Sequence, residues 1–560
     1  MNQGGHVGAD GGGASCAGAV SWSGGSESGA LGRRGLFGGA LSVGVGRAAA
    51  AVMAAGAAVA AMASARTARA GPLSVSADVD PGALGVKLVN RITFGENAEE
   101  MALFSVLGYQ GYLEHHLNHT AIDDSAVEAR LSGQVAGIPP LNTIGFNGEQ
   151  MYQVFPPELP VDELIEATIM RAVYSKRQLF ERMVEFWSDH FSIDILHDWG
   201  WVLKPIDDRT VIRAHALGNF RDLLRASMQS PAMMNYLNND ASFAGNLNEN
   251  YSRELMELHT LGVDSGYTQA DVVAVARCLT GWTRHNEFAE PASVRGTFWY
   301  DHARHDTGQK VLSPLFNLNG SGPLVIPADQ PPLADGLMIV DILASHPATA
   351  RFVCTKLAKR FIGEDVPRQV IDAATATFLN NGQGVTGDIK AVLRTLLSPN
   401  VLADASAKFK RPFHLMVSAL RALPVSVTSV GAMRALLDVA GHVPFFWAPP
   451  NGYPDTFAYW SGSPLPRWRF GASLLTAADG TAGGLAGISV DTGALLAGAP
   501  TPLTAEWVVN RIDELLFRGG LPAAERTRLT AFLNGAGEIG EADALDAFGI
   551  AIGGPAFQFV

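Results

Sequence analysis

Apolar residues recur at intervals of three and four from about Val79 onward, the period of helices that bury one face. Glu166 to Tyr174 and Leu179 to Trp187 follow this spacing, and so do 271–279, 336–344, 349–361, 370–379, 388–397, 411–423 and 507–516. Start signals agree with the pattern. Thr268 precedes Gln269-Ala270-Asp271 as a capping box, Thr386-Gly387-Asp388 places an N-cap and an acid before an apolar run, and His346-Pro347 reads as a helix start with an early proline. Alternating strand patterns are scarce. Thr297 to Tyr300 and Pro323 to Ile326 are candidates for one small hairpin. The expectation is a mainly α protein, a multi-helix globular array with long loops and at most a small β-hairpin. Joints rich in Gly and Pro fall at 138–160, 286–332 and 478–502, and the middle one is long enough to suggest a functional loop.

Composition narrows the function classes. The 560 residues are 47% hydrophobic and 17% charged, which excludes bulk disorder, and the net charge of −13 argues against a nucleic-acid partner held by its phosphates. Neither a thiolate zinc site nor covalent c-type haem is expected, because Cys16, Cys278 and Cys354 form no C-x-x-C. Cys278 and Cys354 sit on apolar helical runs as small hydrophobes, with a disulfide between them the lesser alternative.

Residues 1–70 read as a Gly/Ser-rich leader and a twin-arginine export signal. Arg33-Arg34 precedes a weakly apolar run that closes on Ala68-Arg69-Ala70. A retained membrane anchor is the alternative, disfavoured by the Ala/Gly content and by Arg47. The mature chain is therefore expected in the periplasm or outside the cell. It would have met the Tat export machinery and would carry no integral membrane domain. Residues 71–475 read as one helical core, and 476–560 as a Gly/Ala-rich linker with a C-terminal helical segment.

No P-loop or G-x-S-x-G elbow occurs, and the G-x-G-x-x-G matches at 382–387 and 535–540 follow helix-like runs and read as turns between helices. Four polar clusters remain. The first ends an apolar helix with Asp189 and His190 beside Trp187. The second, Asn248 to His259, places Glu254 and Glu257 on one helical face, with Tyr251 nearby and Arg253 spaced to pair with Glu257. The third and densest is a loop of Asp301, His302, His305, Asp306 and Lys310. The fourth is the turn Asn451 to Asp455 followed by Trp460, which turn chemistry alone also explains. His115, His116 and His119 read as a solvated helix end.

Arg91-Ile92-Thr93-Phe94-Gly95, Phe186-Trp187 to Phe191, the block from Glu249 to Trp282, His305-Asp306, His346 to Phe352, Lys410-Arg411-Pro412 and Gly452-Tyr453-Pro454-Asp455 together resemble the DUF1800 family. That resemblance implies a helical, exported bacterial protein of unknown function. It often has a co-encoded DUF1501-like partner, which looks like the alkaline phosphatase and sulfatase superfamily. No catalytic residue transfers with it. Members often carry His at the position of Ser188 and Phe at that of His259, which makes His259 a candidate replacement ligand.

Two readings follow. One is an extracytoplasmic enzyme, a metal-assisted hydrolase or oxidoreductase. Its catalytic candidates are His305, Asp306, Lys310, Glu254 and Glu257, and its candidate ligands for a divalent metal are His190, Asp189, His302, His305 and His259. Trp187, Tyr251, Arg253, Trp282, Tyr453 and Asp455 are the candidates for substrate contact. The other reading is a non-catalytic secreted partner or scaffold for a DUF1501-type protein or an envelope polymer, in which the clusters are buried ion-pair networks. A recognisable haem or flavin fingerprint is lacking.

Overall fold

Amphipathic helices with one apolar stripe must pair that stripe, and here they do so around two apolar centres. A computed structural model describes residues 81–476 and 485–560, so the export signal and the 1–70 segment lie outside the described residues. The helices that position the site are α1 (Pro81–Ile92), α2 (Ala98–Leu117), α3 (Glu158–Tyr174), α4 (Gln178–His190), α5 (Asn250–Glu254), α6 (Gln269–Leu279), α7 (Ala334–Ser345), α8 (Pro347–Phe361), α9 (Arg368–Leu379), α10 (Pro412–Ala422), α11 (Leu465–Thr476) and α12 (Glu541–Gly553). One core gathers Leu88, Tyr112, Met183, Trp187, Val275, Val340, Leu357 and Phe378. The second gathers Ile165, Ile169, Leu415, Val417, Phe470 and Phe548. Helix α4 gives its Leu179, Met183, Phe186 and Trp187 to the first core.

The start signals act as read. Thr268 and Asp271 form a reciprocal capping box, Asp388 caps the helix Ile389–Leu396, and His346 Nδ1 accepts the Ala348 N–H at 3.0 Å. The strand pairing differs from the single hairpin expected. There are three two-stranded antiparallel sheets: β1 (Trp282–Arg284) with β2 (Phe298–Tyr300), β3 (Lys310–Leu312) with β4 (Leu324–Ile326), and β5 (Val425–Val427) with β6 (Ile488–Val490). The two segments expected to pair with each other each take another partner. Alternation gives a strand its faces but does not give it its neighbour.

Cys278 and Cys354 are both free and fully buried. Among the described residues no single helix is long and apolar enough to cross a membrane. The bent pair α7 and α8 passes only by length and composition, and both helices pack their apolar faces into the first core.

Candidate functional site

Helix α4 carries a second stripe. Glu181, Glu185, Ser188 and Asp189 recur at four, three and one, and Ser192 continues the row, on the side away from Met183 and Trp187. This polar face lies along the seam between the cores. Arg360 and Arg411, from distant parts of the chain, meet it there beside Arg182 of α4 itself. Arg182 Nη1 donates to Glu185 Oε2 at 3.0 Å and Arg360 Nη1 to the same oxygen at 3.2 Å, while Arg411 donates to Oε1. Asp189 Oδ2 accepts from Arg360 at 2.7 Å and from Arg411 at 2.6 Å. Asp455 takes Arg360 Nε at 2.9 Å on one oxygen and Lys408 Nζ at 2.8 Å on the other. Four cations thus share three carboxylates in one connected network.

Burial alone would raise the carboxyl of Glu185, but Arg411, Arg360 and Arg182 outweigh it and hold the group below its ordinary value. Asp455 is likewise pushed well below the carboxylate range, because Lys408, Arg360 and Arg411 overcome its burial. Burial lowers Arg182 to about 10, and lowers the neighbouring Lys356 to about 8 despite Asp189.

Gly452 brings the Asn451 to Asp455 turn against the end of α4. Its φ is +73°, and a Cβ there would lie 1.9 Å from the Asp189 carbonyl oxygen. This close approach delivers Tyr453 and Asp455 to the network.

Above the network lies a cavity of ≈ 50 Å³. Phe94, Phe413, Phe445, Trp447 and Tyr453 line it, together with the polar residues Glu181, Glu185, Ser188, Asp189, Ser192 and His442. Among the described residues no Lys or Arg lines it. Three polar groups of these lining residues make no hydrogen bond within the protein. Asp189 Oδ1 has no partner, Ser188 Oγ is buried with none, and His442 uses only one ring nitrogen. His442 Nδ1 accepts the Phe413 N–H at 3.1 Å, so the hydrogen of the neutral ring sits on Nε2. Burial, reinforced by Arg411 and Arg360, holds that ring neutral by pushing its pKa well below the ordinary value.

The aromatic wall continues outward. His442 packs edge-on to Tyr453 at 4.5 Å, Trp447 lies 5.0 Å from Tyr453, and the half-exposed Tyr459 follows at 5.9 Å from Trp447. The Trp447 Nε1–H donates to Asn451 Oδ1 at 2.8 Å, which orients the indole.

The family model described as "Protein of unknown function (DUF1800)" matches residues 87–559. The chain belongs to the DUF1800 family. No curated protein and no solved structure matches it.

This DUF1800 protein disperses most of the other residues that the sequence singles out. His305, Asp306 and Lys310 dock on α6 and α7 instead of lining a cleft. His305 Nδ1 donates to the Thr280 carbonyl at 2.8 Å and its Nε2 lies 3.4 Å from Asp335, which also pairs with Lys310. Arg277 grips Asp306 at 2.7 and 3.1 Å and holds its carboxyl below the usual range. His302 is exposed.

Glu254 and Glu257 are partly exposed beside each other, and burial followed by Glu257 raises Glu254. Arg253 pairs with Glu249 at 3.5 Å and Gln269 at 2.8 Å, not with Glu257. After α5 the chain widens into a π-helix, Leu255–His259, and the α-helical phase assumed for the pair is lost.

The same π turn buries His259 beside His190, with ring centres 6.1 Å apart and His190 Nε2 donating to the His259 carbonyl at 3.0 Å. The metal-ligand candidates are thus divided among the network (Asp189), this histidine pair, and the α6–α7 loop. Among the described residues no three His, Cys, Asp or Glu side chains are grouped to hold a metal ion.

Trp187, Tyr251 and Trp282 are fully buried core residues, with the Trp187 Nε1–H spent on the Ala216 carbonyl at 2.9 Å. Of the substrate-contact candidates, Tyr453 lines the cavity and Asp455 belongs to the network beneath it. His116 is not solvated as expected. It is fully buried, 3.4 Å from Glu100. His119 stacks on Phe180 at 4.6 Å.

The residues missed by sequence reasoning are Arg360, Lys408 and His442, lone polar residues in segments far from α4. The signal that was present is the polar row along α4, whose three acids on an otherwise buried helix demand counter-charges.

Proposed function

We propose that this DUF1800 protein is exported by the twin-arginine route and works outside the cytoplasm as a ligand-binding protein, with the aromatic cavity over the α4 network as its recognition site. The observation that carries this reading is an aromatic-walled cavity lined by Asp189 and His442, whose Oδ1 and Nε2 make no hydrogen bond within the protein. The Arg33-Arg34 pair and the Ala68-Arg69-Ala70 site support export. The ion pairs of the α6–α7 loop act as fasteners, in keeping with a partner or scaffold role toward an envelope polymer or a co-exported protein.

An enzymatic reading draws on a different observation. Asp189 keeps one free carboxylate oxygen on the same cavity as the neutral His442, so the cavity holds an acceptor and a donor for a bound group.

The test is the thermal stability of the mature protein and of Trp447→Ala, against neutral saccharides, uronic acids, amines and short peptides. A compound class that raises the melting temperature of the wild type but not of the variant is the expected result. If no class does so, the cavity is not a recognition site. Chemical change in a compound so bound would favour the enzyme over the binding protein.

A further inference from the structure

We infer that a second cleft, between α3 and the joint that precedes it, binds the free amino end of a short peptide. The cleft shares no lining residue with the aromatic cavity and stands independently of the role proposed there.

Glu163 of α3 ties the joint to the helix. Its Oε2 accepts the Thr143 N–H at 2.6 Å and the Thr143 hydroxyl at 2.7 Å, which fixes the turn Thr143–Gly145 against α3. The chain then enters the short helix Gly148–Met151, closed by a capping box between Asn147 and Gln150. Between this stretch and α3 opens a cleft of ≈ 450 Å³, within the roughly 300–1,000 Å³ usual for ligand sites.

Three observations select the ligand. First, Glu163 lines the cleft as an acid without a counter-charge. It is 8% exposed, its Oε1 accepts no hydrogen bond, and among the described residues no Lys, Arg or His pairs with it. Unlike the Ser188 hydroxyl, that oxygen is not sealed in. Neighbouring cations are spent elsewhere: Arg434 holds Asp162, and Arg209 gives its two Nη groups to the carbonyls of Ile144 and Phe146. Burial, followed by Glu163 and Asp162, raises the Glu166 carboxyl, so the local field is negative. A cation that reaches Oε1 from the cleft relieves a buried unpaired carboxylate, whereas an anion would meet Glu163 with no lining Lys or Arg to hold it.

Second, the cleft presents side-chain amides. Asn142 and Gln153 are exposed and their amides bond to nothing within the protein, while Gln150 spends only its Oε1, on the Asn147 N–H at 3.0 Å. Each amide carries the donor and the acceptor that a peptide group needs. Asn142 immediately precedes the Thr143 that Glu163 holds, so an amide stands beside the unpaired acid, as the first peptide bond stands beside an α-ammonium. A lysine side chain would place its four-carbon stem in that space instead.

Third, Phe146, Val154, Phe155 and Leu159 supply an apolar lining, and Phe155 is 89% exposed. These side chains suit the apolar first residue of such a peptide, and a free amino end captured this way is a recurring mode of peptide recognition.

The experiment is titration calorimetry of the protein, of Glu163→Gln and of Gln153→Ala, with urea unfolding of each variant. Glu163→Gln keeps an oxygen for Thr143 and removes the charge, and Gln153→Ala breaks no internal hydrogen bond and carries the test if the first variant does not fold. The probes are a leucine–alanine tetrapeptide amide with a free amino end, its N-acetylated form, an N-acetylated tetrapeptide amide carrying one lysine, and isopentylamine. The expected result is binding of the free-amino tetrapeptide, weakened about tenfold in Glu163→Gln and several-fold in Gln153→Ala, with no binding of its N-acetylated form. Equal binding of the N-acetylated form, or binding of the free-amino form that survives unchanged in the folded variants, would overturn the assignment. A lysine peptide bound as tightly as the free-amino one would overturn the choice of the α-amino end. Isopentylamine bound as tightly would reduce the cleft to an ammonium site and overturn the peptide class. Binding of no probe would overturn the whole inference.

Discussion

Ser188 and Arg360 stand for opposite uses of a polar residue on one protein seam. The Ser188 hydroxyl is buried with no partner, an arrangement that costs stability. Ser188→Ala is therefore expected to leave the free energy of unfolding unchanged or raise it by up to about 1 kcal/mol in urea titrations without ligand. Arg360 instead serves three acids at once, Glu185, Asp189 and Asp455. Removing it leaves those carboxylates short of donors, and Arg360→Ala should cost about 3–5 kcal/mol in the same measurement. Arg360→Lys should recover only part of that, because an ammonium cannot span three carboxylates with a planar fork. At this scale sequence reading picked out Asp189, Tyr453 and Asp455, whose residue types stand out in a helix end and a turn. It could not pick out His442, whose role depends on a backbone N–H from Phe413, a neighbour only in space.

Turns and helix ends decide where these side chains arrive. Gly452 combines a left-handed φ of +73° with a Cβ position blocked by the Asp189 carbonyl. Gly452→Ala should destabilise the protein by about 1–3 kcal/mol from backbone strain alone, and more if the turn must retreat from α4. A rise in acrylamide quenching of the total tryptophan emission that disappears in a Trp447→Phe background would report that retreat. The 301–310 loop depends on one acid of α7 in a similar way. Asp335→Ala would strand the buried Lys310 without its carboxylate, so it should cost about 3–5 kcal/mol and speed hydrogen exchange through the loop. Helices were legible in the sequence because the 3.6-residue period and the caps at Thr268, His346 and Asp388 are local. The hairpin partners and the shift of Arg253 from Glu257 to Glu249 were not, since the first is a long-range choice and the second follows from a π turn that leaves no mark in the pattern.

Across the molecule, burial keeps a group of histidines neutral. His190, His414 and His442 are pushed well below the ordinary histidine value and His259 to about 3, in each case chiefly by burial. The unfolded chain protonates these rings below pH of about 6.5 and the folded chain does not. Depressed values of this kind contribute stability that is present above the unfolded pKa and lost as pH falls. The unfolding free energy should therefore decline from about pH 6.5 downward, by up to about 1.4 kcal/mol per pH unit for each histidine. Glu96, raised to about 7 by burial, acts in the opposite sense, stabilising at low pH and losing that contribution as pH rises through about 7. Asp208 and Glu254 are raised by burial in the same sense, while His119, lowered to about 4, and His346 add to the four histidines, so urea midpoints measured from pH 7 to pH 4.5 should fall. An invariant midpoint would show that these rings titrate normally in the fold. The charge network also ties together stretches of chain made at very different times. Lys408 and Lys410 are clipped by backbone pairing to Val560 and Gln558, each at 2.8 Å, and Gln558 in turn holds Arg467 at 2.9 Å. On the ribosome, the edge pairing of residues 408 and 410 with 558 and 560 can form only after residues 558–560 have emerged, so this clip on the segment that carries Lys408 and Arg411 is among the last contacts made.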